Sequence, residues 1–212
     1  MKKVYCISGL GADERIFSKL KVPGVRFTHL EWLMPLPGEP IEKYAARMME
    51  QVDPEQPVFL GVSFGGMMAI EMAKLSSAPR VILVSSIKSH KELPRWMKLT
   101  GKLRLDNLVP SRPWRGLYPV ENHFLGTETA EEIGLANDFR SRIHPGYLHW
   151  AIRQVLTWRN DWLPKELYHI HGSKDRMFPL HRIRSAQIIP QGGHFMIMNR
   201  AAEVSDILSR IC

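Results

Sequence analysis

Ser63 lies in a pattern of residues that can build a catalytic nucleophile. It is the centre of the motif Gly61-Val62-Ser63-Phe64-Gly65. The apolar run Pro57–Val62 before it predicts a strand buried on both faces, and the residues after it through Leu75 predict an apolar helix. A serine on such a tight strand-to-helix turn projects from the end of the sheet, and the amide of Phe64 can face a developing oxyanion. The alternative is a glycine-rich turn without catalytic meaning.

An aspartate and a histidine, both C-terminal to Ser63 in the sequence, could complete a site for acyl transfer. Asp175 follows a predicted strand that ends at His171, and His194 follows the last predicted strand after two glycines. All three side chains therefore fall at one edge of the sheet, where an aspartate can orient an imidazole that takes the serine proton. The alternatives are an aspartate that caps its own loop and a surface histidine. The chain order Ser, Asp, His favours the catalytic interpretation.

The turn after the first predicted strand, Ser8-Gly9-Leu10-Gly11, could supply a second oxyanion donor. The backbone N–H of Leu10 is the candidate, beside that of Phe64. The competing interpretation is a dinucleotide-binding motif, which also begins Gly-x-Gly. Glu14 stands where the third glycine of that motif should be, so we reject it.

Together these motifs resemble the α/β-hydrolase family over essentially the whole chain. The resemblance implies a Ser63-Asp175-His194 triad, acyl transfer through a covalent intermediate, and a cap over the pocket. Chemistry of this kind needs no metal and no organic cofactor. One departure is that only residues 176–184 separate the acid loop from the last strand, which is short for the usual crossover helix.

Apolar strands that alternate with helical segments predict an α/β fold. We expect a doubly wound, mostly parallel sheet of about six strands with helices on both faces. The alternation stops between Ser86 and Pro164, a stretch that contains several prolines. We interpret residues 87–164 as a helical cap insertion within a single domain that spans residues 1–212. The predicted strands are Lys3–Ser8, Val25–Trp32, Pro57–Val62, Arg80–Ser86, Glu166–His171 and Ser185–Ile189, and the predicted helices include Ile41–Val52, Phe64–Leu75, Tyr147–Trp158 and Arg200–Ile211. Asn199 is a candidate N-cap for the last of these helices.

Several other side chains could contribute to a site. The candidates for the substrate pocket are Met67, His149, Trp150 and Phe195, although packing between the cap and the sheet would use the same residue types. His169 and His171 share one face of a strand, but no cluster of carboxylates or cysteines accompanies them. We therefore predict that these two histidines are structural and that the chain has no metal site.

The composition is that of a globular protein with a net positive charge. The net charge is +8, and five of these excess charges lie between residues 88 and 159. A solvated surface is the favoured interpretation, and attraction of an anionic substrate is the alternative. No nucleic-acid motif, signal peptide or membrane span is evident, and the two cysteines make no disulfide framework. We expect a cytoplasmic monomer or homodimer with a small-molecule acyl substrate.

The predicted function is hydrolysis of an ester or thioester of a small molecule. The same triad could support cleavage of a C–C bond or elimination, which a cap residue such as His149 near Ser63 would favour. A non-catalytic binder of small molecules is the alternative from another class. An intact triad argues against it, because a binder has no need of all three residues.

Overall fold

The predicted parallel sheet is confirmed by the structure, a computed structural model that describes residues 1–53, 57–77, 79–105 and 115–212. The sheet has six strands in the order β2-β1-β3-β4-β5-β6, and every neighbouring pair is parallel. Parallel strands bring their carboxyl ends to one edge, where the loops can form a site. The strands β1 to β6 are Lys2–Ile7, Val25–His29, Val58–Val62, Arg80–Val84, Glu166–Gly172 and Gln187–Ile189.

The four helices that the sequence pattern predicts are present, with small differences at their ends. The other four helices of the described residues were not predicted individually. The connection between β5 and β6 has only the 3-10 turn Leu180–Arg182, which agrees with the short spacing in the sequence. Another 3-10 turn, Glu14–Phe17, is capped by the side chain of Asp13. The helices α1 to α8 are Ile41–Met48, Phe64–Ala73, Arg95–Lys102, Tyr118–Leu125, Ala130–Arg142, Pro145–Thr157, Met196–Asn199 and Ala201–Ile211.

The predicted end of strand β2 and the predicted cap of the last helix were wrong. Strand β2 ends at His29 rather than Trp32, because the chain leaves the sheet after Leu30 bonds to the carbonyl of Cys6. Asn199 does not cap α8, whose N-cap is Arg200 without a side-chain acceptor. The amide of Asn199 instead donates to the carbonyl of Gly126, 3.1 Å away.

The sheet separates two hydrophobic clusters because successive strand residues point to opposite faces. Tyr5 and Phe59 pack on one face with α1, α2 and α6, whereas Val4 and Leu60 pack on the other with α7 and α8. Helix α2 is buried at all ten positions, so it is apolar all round rather than amphipathic. It follows the central strand β3 and carries Ser63 at its start.

Helices α3 to α6 lie between β4 and β5, within the predicted insertion, and we call them the inserted helices. Residues 106–114 of that predicted insertion are outside the described residues. Helix α6 is tied to the rest of the chain by two indole N–H groups. Trp150 donates to the carbonyl of Glu39 at 2.7 Å, and Trp158 donates to the carboxylate of Glu71 at 2.7 Å. In the part of the chain that the structure describes, no helix is both long enough and apolar enough to cross a membrane.

The histidines of β5 are buried and lie next to each other. His169 donates from Nε2 to the carbonyl of Ser86, and its ring is 5.3 Å from that of His171. Burial, reinforced by the neighbouring imidazole, lowers the pKa of His169 to about 3. This histidine is therefore neutral in the folded protein at pH 7.

We expect acid to destabilise the fold through His169. Between pH 6.5 and about 3 the unfolded chain binds a proton at this histidine that the folded chain does not, so stability falls as the pH falls. His169→Gln keeps a donor for the carbonyl of Ser86 but cannot titrate. In urea unfolding between pH 4 and 6, its stability should fall less steeply than that of the native chain, by up to about 1.4 kcal/mol per pH unit.

The exposed His181 provides the matched control, since His181→Gln removes a histidine without removing a buried one. Equal pH slopes for His169→Gln and the native chain would show that His169 is charged in the folded state, contrary to its burial.

Candidate active site

Ser63 stands on a strained turn between β3 and α2. Its backbone has φ 53° and ψ −120°, a conformation that residues with a side chain rarely adopt. Two contacts hold it there: the Ser63 N–H donates to the carbonyl of Val84, and the hydroxyl of Ser86 donates to the Ser63 carbonyl at 2.6 Å. The turn projects the Ser63 hydroxyl from the carboxyl edge of the sheet, as the sequence motif predicts.

The glycines of the motif are required by close backbone packing. A Cβ atom on Gly65 would collide with the carbonyl oxygens of Ile7 and Ser8, and one on Gly61 would collide with the carbonyl of Gly65. Since these neighbours are main-chain atoms, they cannot rotate away. The glycines therefore let α2 start directly against β1 and β3.

His194 connects the serine to the aspartate. Its Nε2 lies 2.8 Å from the hydroxyl oxygen of Ser63, and its Nδ1 lies 2.8 Å from Oδ2 of Asp175. His194 and Asp175 are both buried. A neutral imidazole with its proton on Nδ1 donates to the carboxylate and accepts the serine hydroxyl, which is the arrangement that lets a serine lose its proton during attack.

Asp175 is fixed by a second hydrogen bond. Its Oδ1 accepts the backbone N–H of Phe178 at 2.8 Å, so the other oxygen is directed at His194. His171 supports the same loop, because its Nε2 donates to the carbonyl of Phe178 at 2.8 Å and lies 3.6 Å from Oδ2 of Asp175. Burial lowers the pKa of His171, which favours its neutral form. The sequence analysis did not give this supporting role to His171.

The loops that carry Asp175 and His194 are bonded to each other and to the inserted helices. The N–H of Lys174 donates to the carbonyl of Gly192 at 2.8 Å. On the other side of His194, the N–H of Phe195 donates to the carbonyl of Leu125 at the end of α4, also at 2.8 Å. The position of the imidazole thus depends on α4 as well as on the sheet.

The turn after β1 lies directly against the serine. A Cβ built on Gly9 would be 3.5 Å from the Cβ of Ser63. The turn is closed by the N–H of Ala12, which donates to the carbonyl of Gly9, and by the hydroxyl of Ser8, which donates to the carbonyl of Ala12. Leu10 is in the middle of this turn, and Phe64 is the first residue of α2, where helical N–H groups lack an intrahelical acceptor. Their roles as oxyanion donors stay predictions.

An aromatic cluster surrounds the side chain of Phe64. The ring of Trp32 stacks on it with centroids 5.3 Å apart, and Trp150 meets it edge-on at 6.0 Å. Tyr44 and Tyr147 pack against these two tryptophans. Sequence reasoning missed Trp32, and the available signal was its position directly after a strand that ends at the same edge as Ser63.

The four residues predicted for the pocket are in different places. Met67 and Trp150 are buried in the cluster that contains Phe64. Phe195 is buried in the cluster on the opposite face of the sheet, and His149 is half-buried on α6. Contact of any of these residues with substrate stays a prediction.

The sequence of the chain matches a known family. The profile of the alpha/beta hydrolase family matches residues 20–207, so the chain belongs to that family. No curated protein matches the chain in sequence.

Solved structures with different activities share the fold. An esterase from Thermogutta terrifontis superposes with a TM-score of 0.76 at 16% identity, over 99% of this chain and 89% of the esterase. A bromoperoxidase from Bacillus anthracis gives 0.68 at 17% identity, over 99% and 91%. The meta-cleavage product hydrolase CumD gives 0.69 at 17% identity, over 100% and 90%. At such identities the similarity shows the fold alone, so the reaction must be argued from the site.

Proposed function

We propose that the chain is a serine hydrolase that cleaves a carboxylic ester of a small molecule. The observation that carries this proposal is the unbroken line of hydrogen bonds from Asp175 through His194 to Ser63, with both contacts at 2.8 Å. Family membership agrees with it, and so does the name of the esterase from Thermogutta terrifontis that shares the fold.

The proposed reaction has two half-reactions. His194 Nε2 takes the proton of Ser63, whose oxygen attacks the ester carbon, while the amides of Leu10 and Phe64 bind the oxyanion. Asp175 stabilises the imidazolium, which then protonates the departing alcohol. In the second half, His194 removes a proton from a water molecule that attacks the acyl-enzyme. The acid leaves and the proton returns to Ser63.

The inserted helices serve as the cap in this proposal. They contact the site at two points: α4 bonds to the loop of His194 through Leu125, and α6 places Trp150 against Phe64. The aromatic cluster lies next to the strand-to-helix turn at Ser63, which we call the elbow. This cluster favours an apolar acyl group, since aromatic side chains bury large apolar surfaces. Because thiols and alcohols leave by the same steps, a thioester is the second substrate class to assay.

Labelling by a fluorophosphonate tests the nucleophile directly. The activated oxygen of Ser63 should attack the phosphorus of the probe and displace fluoride, which gives a covalent adduct on the native chain. Ser63→Ala should remove labelling completely while the circular dichroism spectrum is unchanged. The matched control is Ser141→Ala, because Ser141 is an exposed serine on α5.

Each outcome has a distinct meaning for the proposal. Loss of labelling only in Ser63→Ala supports it, and esters and thioesters of increasing acyl length would then be compared by kcat/KM. Labelling that persists in Ser63→Ala places the nucleophile elsewhere. A folded native chain that never labels and turns over neither ester nor thioester would instead be a binder of small molecules.

A further inference from the structure

Three ligating side chains outside the triad converge beside the turn that follows β1. They are Glu14 of the 3-10 turn, His29 at the end of β2, and Glu31 two residues later. One donor atom from each lies within 4.8 Å of the other two. Glu14 comes from a different segment than His29 and Glu31, so the fold brings it to the other two.

The hydrogen bonds of Ser8 determine which nitrogen of His29 carries the proton. The hydroxyl of Ser8 uses its single proton on the carbonyl of Ala12, 2.6 Å away. The same hydroxyl oxygen accepts a hydrogen bond from the indole N–H of Trp32 at 2.8 Å and lies 3.3 Å from Nε2 of His29. Since that oxygen has no second proton to give, Nε2 of His29 must be the donor. In the neutral ring, Nδ1 then carries a free lone pair.

Nδ1 of His29 lies near the carboxylate of Glu31. The side chain of His29 is only 10% exposed, and across the described residues this buried nitrogen has no hydrogen-bond partner. Its nearest acidic atom is Oε1 of Glu31 at 3.6 Å, which is beyond hydrogen-bond distance but close to the separation of two ligands on one metal ion. A buried polar atom without a partner calls for an explanation, and a bound cation would provide one.

The charges around this cluster favour a cation although the whole chain is basic. The neighbouring guanidinium of Arg15 is already paired with Asp13 and with Asp138, both at 2.7 Å. Lys19 is paired with Glu131. The negative charges of Glu14 and Glu31 therefore remain available to a metal ion.

We propose that Glu14, His29 and Glu31 form a binding site for a divalent transition-metal ion, with Zn²⁺ as the best fit. An imidazole nitrogen with two carboxylates suits Zn²⁺ and similar ions, whereas Ca²⁺ and Mg²⁺ prefer oxygen ligands alone. His29 and Glu31 line an open cavity of about 220 Å³, which gives an ion access and leaves room for a water molecule as a further ligand. Glu31 is 79% exposed and can adjust its position to the ion.

A metal on Nδ1 would act on the predicted oxyanion turn through one intermediate residue. The ion would lock His29 in the tautomer that the hydroxyl of Ser8 already requires, and Ser8 closes the turn that carries Leu10. Metal binding therefore needs no rearrangement of the turn and should stabilise it. The imidazole of a metal ligand is commonly oriented in this way through its second nitrogen.

Titration calorimetry of the full chain with ZnCl₂ at pH 7.5, with MgCl₂ in a parallel titration, tests the site. We expect one equivalent of Zn²⁺ to bind with a clear preference over Mg²⁺. The double variant Glu14→Gln/Glu31→Gln replaces two exposed carboxylates by isosteric amides. It should weaken Zn²⁺ binding by more than about 10-fold, because removal of even a residue that only hydrogen-bonds to a metal ligand costs about that much affinity. The control is Glu203→Gln, an exposed change on α8.

Two results would overturn the proposal. One is stoichiometric Zn²⁺ binding that is unchanged in the double variant, which would place the ion on other histidines. The other is failure of the native chain to bind Zn²⁺ at all, in which case Glu31 would simply be a carboxylate beside His29. Fluorophosphonate labelling of the same samples keeps the test independent of the proposed hydrolase activity, because a chain can label at Ser63 and still fail to bind the metal.

Discussion

Replacement of Asp175 by asparagine is expected to lower kcat about 10,000-fold, the loss that follows when the imidazole of such a triad is held in the wrong tautomer. The reason lies in the other hydrogen bond of this side chain. Oδ1 accepts the N–H of Phe178, so the carbonyl oxygen of an asparagine must take that position. The amide NH₂ would then face Nδ1 of His194 and donate to it. This moves the imidazole proton to Nε2, which can no longer accept from Ser63.

Steady-state hydrolysis of an activated ester by Asp175→Asn and by Asp206→Asn measures this effect. Asp206 is exposed on α8, so its variant should keep the native rate. KM should change little in Asp175→Asn, since the aspartate is buried behind the histidine and does not face the substrate. A loss of less than about 10-fold would mean that Asp175 does not control the tautomer of His194.

Replacement of Gly65 by alanine is expected to cost about 3 kcal/mol or more of unfolding free energy, the upper range for overpacking in a core. The added methyl group would meet the carbonyls of Ile7 and Ser8, so α2 could not stay against β1 without a shift of the main chain. The position of Ser63 depends on this contact. Labelling at Ser63 should therefore fall together with stability.

Gly134→Ala is the matched control, because Gly134 lies inside α5 with open space where its Cβ would be. Alanine is the better helix former, so this variant should be more stable than the native chain by about 0.5–1 kcal/mol. Both changes add one methyl group. In chemical denaturation, Gly65→Ala should lower the unfolding free energy and Gly134→Ala should raise it. Equal stability of the two variants would show that the glycine of the elbow is not required for packing.

The parallel sheet could be predicted because its signal is local. The buried strands β3 and β4 are continuous apolar runs, and each is preceded or followed by a helical pattern, so neither depends on knowledge of distant residues. The elbow at Ser63 could be predicted equally well, since its glycines lie within two residues of Ser63 in the sequence. Asp175 and His194 could be placed at one edge of the sheet because each follows a strand, and parallel strands end at one edge.

What could not be predicted depends on contacts between distant segments. The sequence places Trp32 near the edge that carries Ser63 but does not indicate that its ring stacks on Phe64. It also does not indicate that Glu14 lies beside His29 and Glu31. Asparagine is a residue type that often caps helices, but the side-chain amide of Asn199 donates instead to the carbonyl of Gly126, which follows α4. Tertiary contacts of this kind override local preference.

The bond between the N–H of Phe195 and the carbonyl of Leu125 links substrate choice to reaction rate. Helix α4 belongs to the part of the chain proposed to shape the pocket, yet its last turn also holds the loop of His194, the proposed base. A substitution in α4 that accommodates a new acyl group would displace the imidazole at the same time. Specificity and turnover of the proposed hydrolase are therefore expected to change together when α4 is altered.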